Sequence, residues 1–240
     1  MKQSQAKKRD NAMTNKILMG LIALVLGLLF LEILIVHSKN EQQKNASNQV
    51  QTARIMANGD LLYHDGLYMS ALQADGSYDF TENFTYVKPW LKQADLVLGD
   101  FEGTINPDYP LSGYPLFNAP QSVTAAIKDA GYDVMDLAHN HILDSGLEGA
   151  FTTADAFKEV GIDPVGVYEK PVRDKAPLLI KNVNGIKVAI LSYAYGYNGL
   201  ESNLTDKEVA DHLSNLDEKR MKAEIQRAEK EADITVIMPQ

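Results

Sequence analysis

Between Ile17 and Val36 the chain reads ILMGLIALVLGLLFLEILIV, apolar throughout except at Glu32. A helix of about 20 such residues crosses the hydrocarbon core of a bilayer. The run therefore divides the chain into a membrane segment and a remainder that must fold in water. Lys7, Lys8, Arg9 and Lys16 precede it against Asp10 alone, which keeps the N-terminus in the cytoplasm and sends the rest outside. A cleaved signal peptide would carry an apolar core of roughly 7–15 residues and a small-x-small cleavage site. His37-Ser38-Lys39-Asn40 is a poor site, and Ala46-Ser47 lies too far downstream. The expected organisation is a cytoplasmic basic tail over 1–16, a single-pass signal anchor in lipid over 17–36, a polar flexible stalk over 37–52 and one extracellular domain over 53–240. Glu32 is placed near the outer end of the span, reaching towards the headgroups.

Composition narrows what that domain can be. A hydrophobic content of 45% with 23% charged residues is that of a globular chain, and the length past the stalk suits one core. Cysteine is absent, which excludes disulfide scaffolds, thiolate metal sites and cysteine nucleophiles. Any metal must then use oxygen and imidazole ligands. The whole chain carries a net charge of −9 although its first 16 residues are basic, so the domain is strongly acidic. Such a surface is a poor nucleic-acid binder and does not lie flat on anionic lipid.

Apolar strands and amphipathic helices alternate along the domain. Strands are expected over 53–57, 95–99, 132–138, 163–167, 176–183, 186–193 and 233–238. Asn184-Gly185 marks a hairpin between the fifth and sixth. Helices are expected over 83–93, where Pro89 intrudes, and over 122–130, stopped by Gly131. Two more are expected over 147–160, stopped by Gly161, and over 206–231. This alternation predicts an α/β fold with a largely parallel sheet.

Three strands run out into polar clusters: Asn58-Gly59-Asp60 with His64 nearby, Gly99-Asp100-Phe101-Glu102-Gly103, and His139-Asn140-His141 with Asp144. Carboxyl ends of strands line the ligand crevice of open α/β sheets, and these side chains are donors that divalent metals accept. One such cluster alone reads as a helix cap; three at one sheet edge read as a site. His37 and His212 do not join it.

On these residues, Gly59-Asp60, Gly99-Asp100-Phe101-Glu102-Gly103 and Asn140-His141-x-x-Asp144-x-Gly146, the chain resembles the CapA family of bacterial capsule proteins, within the calcineurin-like metallophosphoesterase superfamily. The resemblance covers residues 53–240. It implies a layered α/β/β/α sandwich with metal ligands at strand ends, and a role in synthesis, export or anchoring of a poly-γ-glutamate-type capsule. The partners it implies are the capsule polymer or its synthase subunits. It assigns Asp60 to a first metal position, Asp100 or Glu102 to an acidic bridging position, Asn140 to metal and phosphate oxygen, and His141 to leaving-group protonation. His64 falls near a further metal position without the superfamily's Asp-x-His spacing. The metal would be divalent: Mn, Zn, Fe or Mg. The superfamily's later histidines have no counterpart before Gln240, so the sandwich is expected to be incomplete and the chain truncated at its C-terminus. Whether anything is hydrolysed stays open. The alternative to a capsule-assembly role is an extracellular metal-dependent phosphoesterase.

Overall fold

The computed structural model describes residues 27–39 and 50–240. Residues 27–39 are helical, and among the described residues no helix is long and apolar enough to cross a membrane. The expected tail over 1–16, the first half of the expected span and residues 40–49 of the expected stalk lie outside the described residues. Residues 37–39, read as stalk, continue the helix.

Residues 51–240 form one unit built on two sheets. The first has four parallel strands in sequential order: β1 (Ile55–Asp60), β2 (Leu96–Asp100), β3 (Val134–Asp136) and β4 (Asp163–Val165). The second has β5 (Leu179–Val183), β6 (Ile186–Tyr193) and β7 (Ile234–Pro239), with β5–β6 antiparallel and β6–β7 parallel. The largely parallel sheet expected from the alternation of elements is thus divided into two sheets. Leu96, Leu98, Val134 and Val165 of the first share a buried cluster with Val183, Val188 and Ile190 of the second, so the sheets face each other. The outer face of the first, through Val97 and Met135, packs on α3 (Ser122–Ala130) and α4 (Gly146–Glu159). The outer face of the second, through Ala189, Leu191 and Tyr193, packs on Ala228, Met221 and Ile225 of α6 (Glu218–Glu231). The layers run α/β/β/α.

The best-read elements carry strong local signals. In α3 the buried Val123, Ala126, Ile127 and Ala130 keep helical spacing, and Gly131, left-handed at φ 114°, closes it. The Asn184-Gly185 turn has φ 53° and 88°, the positive pair that a two-residue hairpin turn needs. Gly99 answers to packing, because a Cβ there would meet the Tyr132 ring at 2.8 Å.

Other expectations need correction. Asn58-Gly59-Asp60 belongs to β1, where a bulge between Ala57 and Asp60 takes up one extra residue. The strands expected over 132–138 and 163–167 keep three residues each. The helix expected over 83–93 is a 3₁₀ turn (Thr81–Phe84) followed by the four-residue α2 (Lys88–Leu91), with Pro89 in its first turn. It follows α1 (Asp65–Ala71), which had no sequence expectation. The helix expected over 206–231 is α5 (Asp206–His212) and α6, because Leu213 is fully buried and Asn215 bridges to Ala194. Asp217 then caps α6 by accepting the Arg220 N–H at 2.8 Å.

Candidate functional site

Parallel register sets the first part of the site. Asp60 pairs with Asp100, and Asp100 with Asp136, so three adjacent strands end on a level row of aspartates. Neighbouring strands lie roughly 5 Å apart, which puts the three charges within strong mutual repulsion. Asp60 is exposed, whereas Asp100 and Asp136 are 7% and 1% exposed. Burial, then Asp136, then Asp60 push the Asp100 carboxyl up to about 8. Its Oδ1 is buried without a partner. Burial, then Asp60, push Glu102 up to about 7.

Asp136 escaped the sequence reading because it lies inside the apolar run 132–138. The available signal was a repeat: Leu98-Gly99-Asp100 and Val134-Met135-Asp136 end their strands alike. Burial pushes it up to about 7 against the pull of its hydrogen bonds. Its Oδ1 accepts the Ala138 N–H at 2.8 Å and the Ser192 hydroxyl of β6. The row of acids is thereby tied to the second sheet.

The second part follows β3. His139 is fully buried, and its Nδ1 accepts the His141 N–H at 3.2 Å. Its Nε2 has no partner, and burial drives the ring down to about 3, so it stays neutral. His141 Nδ1 lies 2.8 Å from Asp144 Oδ2, and its Nε2 faces Glu102 Oε1 at 3.8 Å. The same Asp144 oxygen accepts the Phe117 N–H at 2.6 Å. Asn140 donates to Asn198 Oδ1 at 3.3 Å, and Asn198 Nδ2 reaches 3.5 Å from His141 Nδ1. Asn198, left-handed at φ 55°, arrives on the loop after β6 and had no sequence signal beyond being an asparagine before glycine.

Asp60, Asp100, Glu102, Asn140 and His141 are therefore brought to one end of the first sheet, with Glu102 between the acids and the imidazole. His64 ends the loop that follows β1. It is exposed, and its Nδ1 caps α1 by accepting the Asp65 N–H at 2.9 Å. The Phe117 ring lies edge-on against both imidazoles, with centroid distances of 5.7 Å to His64 and 4.8 Å to His141.

Asp144 joins the loop at Phe117 to the His141 ring. Asp144→Ala should cost about 1–3 kcal/mol, because a buried amide loses its acceptor. Thermal unfolding checks this, and an unchanged midpoint would show that the contact carries no stability.

Carboxylate oxygens, an amide and an imidazole form a donor set suited to hard or borderline divalent cations. The unpartnered Asp100 Oδ1 and Asp144 Oδ1 are acceptors with spare capacity. Among the described residues, no three His, Asp or Glu side chains stand together so as to hold an ion as they are placed. The fit is one of donor chemistry.

Comparison with known proteins places this arrangement in context. The family described as "Bacterial capsule synthesis protein PGA_cap" matches residues 54–240. The capsule biosynthesis protein CapA of Bacillus anthracis is 36% identical over 115 residues, 46% of this chain and 28% of that protein. The PGA biosynthesis protein CapA of Bacillus subtilis (strain 168) is 25% identical over 189 residues, 78% of this chain and 48% of that protein. The chain thus spans between about a quarter and a half of the length of these relatives. Among solved structures, a candidate 5′-nucleotidase from Staphylococcus aureus in complex with α-ketoglutarate aligns with a TM-score of 0.49 at 12% identity. That alignment covers 78% of this chain and 37% of the other.

Proposed function

We propose that this chain, which belongs to the PGA_cap family of bacterial capsule synthesis proteins, serves in the synthesis, export or anchoring of a poly-γ-glutamate-type capsule polymer from the outer face of the cell membrane. The observation that carries the reading is the family match over residues 54–240, which includes every strand-end residue of the site. The membrane placement rests on the apolar run Ile17–Val36 and the basic residues before it.

In this reading the site holds and orients an acidic polymer end or its activated precursor. Asp144 holds Nδ1 of His141 and turns Nε2 towards Glu102. Nε2 is then the atom that takes or returns a proton. His139, buried and neutral, supports the backbone of His141 through Nδ1. Asn140, braced by Asn198, presents its amide to substrate oxygen. A divalent cation held by Asp60, Asp100, Glu102 and Asn140 would supply Lewis-acid stabilisation of negative charge on a phosphoryl oxygen.

The oriented His141–Asp144 pair also favours a second reading, an extracellular metal-dependent phosphoesterase of the metallophosphoesterase type, with His141 as the leaving-group acid. One variant tests both. In cells carrying the full-length gene, His141→Ala should abolish most surface polymer while the protein level stays normal. Normal capsule in that strain removes the site from capsule assembly. If the purified protein hydrolyses a phosphoester with added Mn²⁺, His141→Ala should slow it roughly 100-fold; no turnover by the unaltered protein refutes the second reading.

A further inference from the structure

The site lies at the carboxyl ends of β1 to β3, and the opposite end of the first sheet carries a different surface. Ahead of β2, Tyr86, Val87 and Trp90 are 88%, 46% and 65% exposed. Single exposed apolar side chains are ordinary; these three lie within five consecutive residues, at the turn into α2. Their backbone is held firmly. Phe84 and Leu91 pack into the core beside them, Lys88 pairs with Asp129 at the end of α3, and the Trp90 N–H donates to Val87 O at 2.9 Å. The aromatic rings therefore point outward from a rigid segment.

The chain enters the domain at this same end. The Arg54 guanidinium donates to Gln93 O at 3.2 Å, and its backbone N–H donates to Asp95 Oδ2 at 2.8 Å. Thr52 O accepts the Asn184 amide at 3.0 Å. Gln93 in turn donates its N–H to Trp90 O at 3.0 Å. One hydrogen-bonded turn joins the entry point to the exposed tryptophan.

We propose that Tyr86, Val87 and Trp90 dock this end of the domain into the interfacial layer of the membrane, so that the carboxylate and imidazole site faces away from the bilayer. The proposal rests on the reading of Ile17–Val36 as a membrane anchor. Gln51, where the domain begins, follows that segment in sequence. Tryptophan and tyrosine have an apolar body and a polar edge, which suits them to headgroup depth. The acidic chain disfavours a flat approach to anionic lipid. A small aromatic tip needs no anionic lipid, so zwitterionic lipid is the partner.

Trp90 is the only tryptophan of the chain, which makes its emission a specific reporter. The full chain is reconstituted into phosphatidylcholine vesicles, floated, and compared in plain lipid and in lipid brominated near the glycerol. The expected result is co-flotation with loss of most Trp90 emission in brominated lipid. Replacing Tyr86 and Val87 together by serine should weaken that quenching. Co-flotation with equal emission in both lipids overturns the docking and leaves the anchor standing. Failure to float overturns both. A blue-shifted, unquenched emission that rises with protein-to-lipid ratio shows that a second copy covers the patch, and also overturns the proposal.

Discussion

At pH 9 and without metal, Asp100→Asn should melt above the unaltered chain by about 1–3 kcal/mol, roughly 3–10 °C, and the difference should shrink steadily as pH falls and vanish only near pH 4. Asp100 is raised from an ordinary carboxylate value of 3.8 to about 8 by burial, then by Asp136 and Asp60. The folded state therefore binds this proton more tightly than the unfolded chain. Its contribution is fully present below 3.8 and is lost as pH rises through 8. Asparagine has the shape of the neutral acid and removes that loss. Glu102 and Asp136, both raised to about 7, act with the same sign. His139 opposes them, because its value is lowered from 6.5 to about 3. The stability it contributes is present above 6.5 and is lost as pH falls towards 3. From these four groups the unaltered chain should therefore gain stability from pH 9 downward, less steeply below about 6.5 where His139 opposes the three acids, and stop gaining near pH 4. A bound divalent cation would hold the acids ionised, so adding Mn²⁺ at pH 8 should stabilise the unaltered chain more than the variant. An Asp100→Asn protein less stable than its parent at pH 9 would falsify the assignment of Asp100 as a repelled strand-end acid.

Arg173→Met should destabilise the domain by about 3–5 kcal/mol, the cost of leaving a charge without its buried partner. The Arg173 side chain is 1% exposed and grips Glu224 of α6 with two bonds of 2.9 Å. A third bond reaches Leu213 O at 3.1 Å, in the break between α5 and α6. Tyr193 of β6 donates its hydroxyl to Glu224 at 2.8 Å, and the guanidinium lies 5.6 Å from that tyrosine's ring centroid. One cation thus joins the outer helix, the helix break and the second sheet. Replacing Arg173 and Glu224 together by methionine should recover much of the loss, since packed apolar groups of similar volume can replace a buried ion pair. Urea unfolding of the two variants measures both terms. If the single variant loses less than about 1 kcal/mol, the network does not hold α6 in place.

The parts of the site legible in advance were those whose neighbours in sequence already say something. Gly99-Asp100-Phe101-Glu102-Gly103 and Asn140-His141 follow apolar runs, and they sit where strand ends were expected. Asp136 was hidden because an acid inside the run 132–138 looks like a strand interruption. Its carboxyl group is tolerated because the Ala138 N–H and, from β6 across the sandwich, the Ser192 hydroxyl both donate to it. His64 was read as a ligand from its nearness in sequence to Asp60, and the structure shows its Nδ1 accepting the Asp65 N–H at the start of α1. Asn198 is 57 positions from His141, and no local pattern links them.

The sequence by itself determined the alternation of strands and helices, the Asn184-Gly185 hairpin, the ends of α3 at Gly131 and of α4 at Gly161, and the acids and imidazoles at strand ends. These follow from periodicity and from backbone freedom at a few glycines, which act over less than a dozen residues. Only the tertiary structure decided which strands form each of the two facing sheets, that a bulge levels Asp60 with Asp100, and that Asp136 and Asn198 join the strand-end acids and His141. It also decided that residues 206–231 break at Leu213, which the core draws in. Each of these is settled by contacts between residues far apart in the chain, where the free energy of burying apolar faces and pairing buried polar groups outweighs local preference.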